Sequence, residues 1–183
     1  MLRAPDGGLG AKDGQKAKIG SVMKTVDNWH ALPKGFEGDF DAILNGDGPF
    51  AGNCYIFKKD SYVKYDWTAD KVVPGYPKKI AGNWPGFPSG FDRDFDAAMN
   101  GNGPFAGKCF FFKGDSYVSF DWKNDRADPG YPKKIATGWN LLADEFKQGL
   151  NAAVEGYGPF VGKGYFFKGN DYARFDWASD RSD

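Results

Sequence analysis

The sequence predicts an all-β protein with short helices, organised as three copies of one 55-residue unit. Tryptophans recur at Trp29, Trp84 and Trp139, and the other landmarks keep that spacing with no insertion or deletion. Phe40-Asp41-Ala42 returns as Phe95-Asp96-Ala97 and Leu150-Asn151-Ala152; Gly48-Pro49-Phe50 returns as Gly103-Pro104-Phe105 and Gly158-Pro159-Phe160. Tyr65-Asp66-Trp67 likewise becomes Phe120-Asp121-Trp122 and Phe175-Asp176-Trp177. Aromatic residues are 17% of the chain, beside 26 Gly and 11 Pro, a mixture that favours short aromatic strands cut by turns. A period of this size, slightly above the usual range of about 20 to 50 residues, belongs to solenoids, propellers and arrays.

The middle unit justifies each element in order. Phe95 to Met99 alternates as a short strand, and Asn100-Gly101-Asn102-Gly103-Pro104 is dense in turn residues. Lys108 to Lys113 forms a second strand, Gly114-Asp115 a tight reversal, and Ser116 to Trp122 a third strand. On that third strand Tyr117, Ser119 and Asp121 share one face, and Val118, Phe120 and Trp122 the other. Asp125 to Pro129 follows as a loop or short outer strand, and Pro132 is expected to open a helical turn through Ile135. Both faces of such a sheet carry aromatics, so a lone unit would expose apolar surface at about 25 cal/mol per Å². The units must stack.

The run Cys109-Phe110-Phe111-Phe112-Lys113-Gly114-Asp115-Ser116-Tyr117-Val118, followed by Asp128-Pro129-Gly130-Tyr131-Pro132-Lys133-Lys134-Ile135 and a tryptophan, resembles the hemopexin repeat. Phe95-Asp96-Ala97-Ala98 resembles that repeat's opening strand, and the likeness extends over residues 19–183. The resemblance implies a hemopexin-type β-propeller, normally of four blades, yet three openings of this type occur. Residues 19–183 are three whole periods, with Ile19-Gly20 in register with Pro74-Gly75. One expectation is therefore a single domain over 19–183, behind a flexible tail at 1–18, with units at 30–84, 85–139 and 140–183 plus 19–29. In it the N-terminal segment supplies the third blade's missing outer strand and closes the ring. The alternative is an open or partial ring completed by another chain, that is, a homo-oligomer or a protein-protein assembly.

Composition removes several function classes. The 24 basic and 24 acidic side chains cancel, which argues against nucleic acid as a partner. No apolar run approaches the roughly 20 residues of a membrane span, and the first 18 residues show no signal-peptide core. The expectation is a protein off the membrane, cytoplasmic or released without a visible signal peptide. Cys54 and Cys109 occupy equivalent places in two units and read as free, buried thiols.

In the family it resembles, the innermost strands line a channel whose backbone carbonyls hold a hard cation such as calcium or sodium. That resemblance places Asp41, Asp96 and Asn151 as channel-lining candidates, mainly through backbone carbonyls. Three carbonyls fall short of calcium's usual 6 to 8 oxygens, so water or side chains would complete the shell. The polar strand ends of a solvated channel are the competing reading. Asn45-Gly46-Asp47-Gly48 and its copies lack the spaced acids of a calcium loop and read as turns. Haem, the ligand that names the family, has less support, because His30 is the one histidine and paired histidine ligation within the chain is impossible.

Trp29, Trp84, Trp139 and His30 are the candidates for ligand contact, since indole faces stack on sugar C–H surfaces and neighbouring polar groups fix hydroxyls. Trp67, Trp122 and Trp177 read as core. No nucleophile motif, zinc-binding H-E-x-x-H, phosphate loop or Cys-x-x-Cys occurs, so no catalytic residue is assigned. The expected function is a non-enzymatic binding module, lectin-like or small-ligand binding, with a cation in its channel. Its rival is a self-assembling or protein-binding propeller.

Overall fold

The computed structural model describes residues 23–139 and 142–182. The tail at 1–18 and the start of the closing segment fall outside the described residues. Each unit is built around a two-residue reversal that sets the register of its longest strands. In the first unit β1 (Ala42–Asn45), β2 (Asn53–Lys58), β3 (Ser61–Asp66) and β4 (Lys71–Val72) lie side by side, all antiparallel, and β5 (Lys78–Lys79) pairs with the other end of β3. The second unit repeats this with β6 (Ala97–Asn100), β7 (Lys108–Lys113), β8 (Ser116–Asp121), β9 (Arg126–Ala127) and β10 (Lys133–Lys134). The third has β11 (Ala152–Glu155), β12 (Lys163–Lys168), β13 (Asp171–Asp176) and β14 (Arg181–Ser182).

The expected strand at Lys108 to Lys113 is β7 to the residue, and the outer strand is β9. Two local expectations change. Asp96 lies before the inner strand, not in it. Pro132 does not open a helix: Tyr131–Pro132 is a cis peptide bond, Lys133 and Lys134 pair with Tyr117 and Ser116, and the helical turn α2 (Ile135–Gly138) begins afterwards. Between inner and second strands, each unit inserts a single 3₁₀ turn over Gly-Pro-Phe, with the proline where a missing N–H costs nothing. Asp47 and Asn102 cap the first two of these turns by accepting from the N–H of Gly48 and Gly103.

The sheets stack face to face, with β1 against β6 and β6 against β11. Between the first two sheets, Tyr55, Phe57 and Tyr62 of one meet Phe111, Phe120 and Trp122 of the next. Between the second and third, Phe110, Phe112 and Tyr117 meet Phe166, Phe175 and Trp177. Trp84 and Trp139 are wedged into these seams, each 5% exposed. Closure of three units into a ring is not shown. Among the described residues β11 makes no contact with β1 comparable to those of the successive inner strands. The third sheet's outer face stays open, with Phe160 55% and Tyr172 65% exposed.

Candidate functional site

The three channel candidates sit where the chain enters each inner strand. The backbone N–H groups of Asp41, Asp96 and Asn151 donate to the carbonyls of Phe57, Phe112 and Phe167, extending the ladder by one rung. Their side chains turn to the neighbouring hairpin: the Asp41 carboxylate accepts from Lys59 N–H at 2.5 Å, that of Asp96 from Gly114 N–H at 2.6 Å, and Asn151 Oδ1 from Gly169 N–H at 2.7 Å. One oxygen of each side chain thus satisfies a turn donor. No cluster of three or more His, Cys, Asp or Glu side chains suited to a metal occurs among the described residues. A cation on the inner strands would have to rely on backbone carbonyls.

The far end of the inner strands carries a second row that the sequence reading missed, Asn45, Asn100 and Glu155. Asn45 and Asn100 accept the indole N–H of Trp67 and Trp122, at 3.2 and 2.8 Å, and so tie the end of each inner strand to the start of its outer turn. Asn100 Nδ2 also donates to the Asn45 carbonyl at 2.9 Å, linking neighbouring units across one period. Glu155 breaks the pattern. Burial pushes its carboxyl up, with hydrogen bonds to Asn100 opposing, and the buried Trp177 N–H is left without a partner.

The candidate tryptophans divide. Trp84 stands with ring centroids 5.2 to 5.8 Å from Phe57, Tyr55 and Tyr62 on one side, and 4.9 to 5.9 Å from Phe120, Phe111 and Trp122 on the other. Trp139 does the same at the second seam, between Phe110, Phe112 and Tyr117 and the trio Phe166, Phe175 and Trp177. Trp29 contacts aromatic rings on one side, Tyr65 at 4.9 Å and Trp67 at 5.4 Å. His30 is half exposed beside it, with Nδ1 3.0 Å from an Asp70 carboxylate oxygen, while Tyr65 donates to the other oxygen at 2.7 Å. Both cysteines are free and buried; burial pushes the Cys54 thiol to about 12 and also raises Cys109, so both are protonated packing groups.

The second seam also holds a cavity of about 210 Å³. Phe105, Phe110, Tyr117, Tyr131 and Trp139 supply its aromatic walls, and Lys108, Ser119, Asp128 and Asp180 its polar groups. Lys108 bridges Asp121 at 2.8 Å and Asp128 at 2.7 Å, while Ser119 donates to Asp128 at 2.7 Å. Burial acts to lower the Lys108 pKa, but hydrogen bonds to the two carboxylates outweigh it and hold the ammonium above its ordinary value. Burial also raises the Tyr117 hydroxyl, with Tyr131 adding to the effect, so the wall is neutral and polar at its tip. The repeat explains why space opens at this seam. One period earlier, Lys64 stands in the place of Ser119 and Asn83 in that of Gly138, so two small residues replace two long ones.

Comparison with known proteins places this geometry. The family described as Hemopexin matches residues 40–89 and 95–142, more than half of the chain. Stromelysin-1 from Equus caballus is 32% identical over 150 residues, covering 81% of this chain and 27% of that protein. Vitronectin from Sus scrofa is 32% identical over 133 residues, covering 73% of this chain and 26% of that protein. The chain therefore spans about a quarter of the length of these curated relatives. Among solved structures, a plant lectin with two metal-binding sites from Cicer arietinum superposes with a TM-score of 0.63 at 27% identity, over 75% of this chain and 60% of that one. A plant albumin showing hemagglutination, also from Cicer arietinum, gives 0.63 at 26% over the same shares. A seed albumin from Lathyrus sativus gives 0.61 at 27%, over 74% and 59%. Three stacked four- and five-stranded sheets at a 55-residue period, matched over both of the first two units, show that this chain belongs to the hemopexin family.

Proposed function

We propose that the protein is a non-catalytic binding module for a small polyhydroxylated ligand, a carbohydrate in the first instance, and that the cavity between the second and third sheets receives it. The cavity carries this reading. It combines aromatic faces, which stack against sugar C–H surfaces, with Ser119, Asp128, Asp180 and Lys108, which supply donors and acceptors for hydroxyl groups. The Lys108, Asp121 and Asp128 network fixes the polar side of the wall before any ligand arrives, which lowers the ordering cost of binding. The lectin and the hemagglutinating albumin among the similar structures support the same ligand class.

Glycan-array screening followed by calorimetry tests it. Gly138→Asn restores the bulk found at Asn83 and is expected to abolish binding, and Asp128→Asn to weaken it about tenfold, the value of one charge-assisted hydrogen bond. A protein that binds no glycan on the array, or whose binding is untouched by Gly138→Asn, would remove the reading.

A hard cation, calcium or sodium, belongs to the same proposal as a structural adjunct held by backbone carbonyls at Asp41, Asp96 and Asn151. Their side chains are committed to hairpin N–H groups, so the carbonyls and water are the donors left, a hard-oxygen set suited to such an ion. The metal-binding lectin supports it. Calcium titrated into chelator-treated protein should release heat and raise the melting temperature; a flat response in both would sink it. Haem has weaker support: the lone His30 has Nδ1 engaged by Asp70, and an unchanged Soret band on haemin titration is the expected result.

A further inference from the structure

Each interior seam is one lock repeated at the period. A tryptophan sits between three rings of the sheet before it and three rings of the sheet after it. At the open ends of the array the two halves of that lock stand apart. Trp29 rests on Tyr65 of the first sheet, with no ring contact on its other side among the described residues. Tyr165, Phe167 and Tyr172 of the third sheet are the register equivalents of Tyr55, Phe57 and Tyr62, which hold Trp84. Their ring contacts run only to one another and to Phe160, with Phe167 38% and Tyr172 65% exposed, where Phe112 and Tyr117 are 0% and 5%. Ile43, one period before the buried Ala98, is 43% exposed at the opposite end.

We propose that these two surfaces meet between molecules: Trp29 of one copy enters the ring set Tyr165, Phe167 and Tyr172 of another, so that copies associate head to tail. The occupant is a second copy because the missing partner of each face is present, in register, at the other end of the same chain. The junction continues an interface that the molecule already makes twice. Contiguous apolar patches of this kind mark association surfaces, and a head-to-tail contact gives a closed ring if its rotation closes and a filament if it does not. The assembly does not depend on the ligand reading, since the cavity lies at an interior seam and sedimentation does not read it.

Sedimentation velocity on the full chain over a wide concentration range tests the proposal. Wild type is expected to associate reversibly. Trp29→Ala lacks the head and Tyr172→Glu lacks the tail, so each alone should weaken association by about thirtyfold or more, as loss of a hot-spot aromatic does. Mixed together, they keep one good head and one good tail, and should form a one-to-one heterodimer that grows no further. A monomeric wild type overturns the proposal, as does a mixture of two folded variants that stays monomeric. Should Trp29→Ala fail to fold, Tyr172→Glu decides by itself: the side chain is largely exposed, and association undiminished in that variant would equally overturn the head-to-tail contact.

Discussion

Phe112 and Phe167 occupy the same position in successive sheets, yet one is fully buried and the other is 38% exposed. The same holds for Tyr117 and Tyr172, at 5% and 65%. Nothing in their own units distinguishes them, since both pairs lie in hairpins of identical register. The difference comes from the next sheet. In a repeat protein the unit specifies a surface, and only a neighbour turns that surface into core. A periodic sequence can therefore assign each residue its face of the sheet without assigning its burial.

The sharpest way to break this comparison is to remove the same chemistry from a seam and from an open face. Trp84→Ala takes out a ring packed on both sides, and should cost about 3 to 5 kcal/mol in urea unfolding. Tyr172→Ala removes a ring with solvent on one side, and should cost less than about 1 kcal/mol at concentrations where the chain is monomeric. Trp29→Ala, packed on one side, belongs between them. Equal losses for Trp84 and Tyr172 would mean that the open face is covered in solution.

The same logic explains what was legible beforehand. The central hairpin of the second unit could be read to the residue because Gly114-Asp115 sets its register locally. The position of Pro132 could not, because Lys133 and Lys134 are held by β8, a partner far back in the chain. The row Asn45, Asn100 and Glu155 was hidden inside runs that look like plain turns, and its role depends on indoles 22 residues away in each of the first two units. Asp41, Asp96 and Asn151 were correctly set beside the inner strands, but their side-chain bonds to the hairpin needed the fold. The cavity did leave a signal. Ser119 and Gly138 depart from Lys64 and Asn83 one period earlier, and departures from a repeat are where sites part from scaffold.

A second comparison runs between ion pairs. Lys108 with Asp121, and Lys163 with Asp176, repeat in the second and third units, while Asn53 takes the lysine's place in the first. The Lys108 hydrogen bond, aided by the N–H of Asn124, holds the Asp121 carboxyl down at about 2, against an ordinary value of 3.8. Because the folded value is the lower one, the stabilisation is present above pH 4 and is lost as pH falls towards 2, and at neutral pH it amounts to about 2 kcal/mol. Asp121→Asn should be less stable than wild type by about that amount at pH 7, with the two melting curves converging near pH 2. Curves that stay parallel over that range would show that Asp121 acts through its shape and not its charge.

The smallest effect concerns the hairpin reversal itself. Gly114 and Gly169 hold φ of 55° and 58°, and the first unit asks Lys59 to hold 54° at the same place. A side chain in the left-handed region costs roughly 1 to 2 kcal/mol, and glycine avoids that cost but gives back about 0.5 to 1 kcal/mol in unfolded-chain entropy. Lys59 is exposed, and its backbone N–H bond to Asp41 does not involve its side chain. Lys59→Gly should therefore stabilise the protein by about 0.5 to 1 kcal/mol, and Gly114→Lys should destabilise it by a similar amount, both read as shifts in the urea midpoint at constant slope. Opposite signs at two register-equivalent turns would separate backbone conformation from every contact that distinguishes the two units. A loss of stability for Lys59→Gly would instead mean that the lysine stem packs on the first sheet in a way its exposure does not suggest.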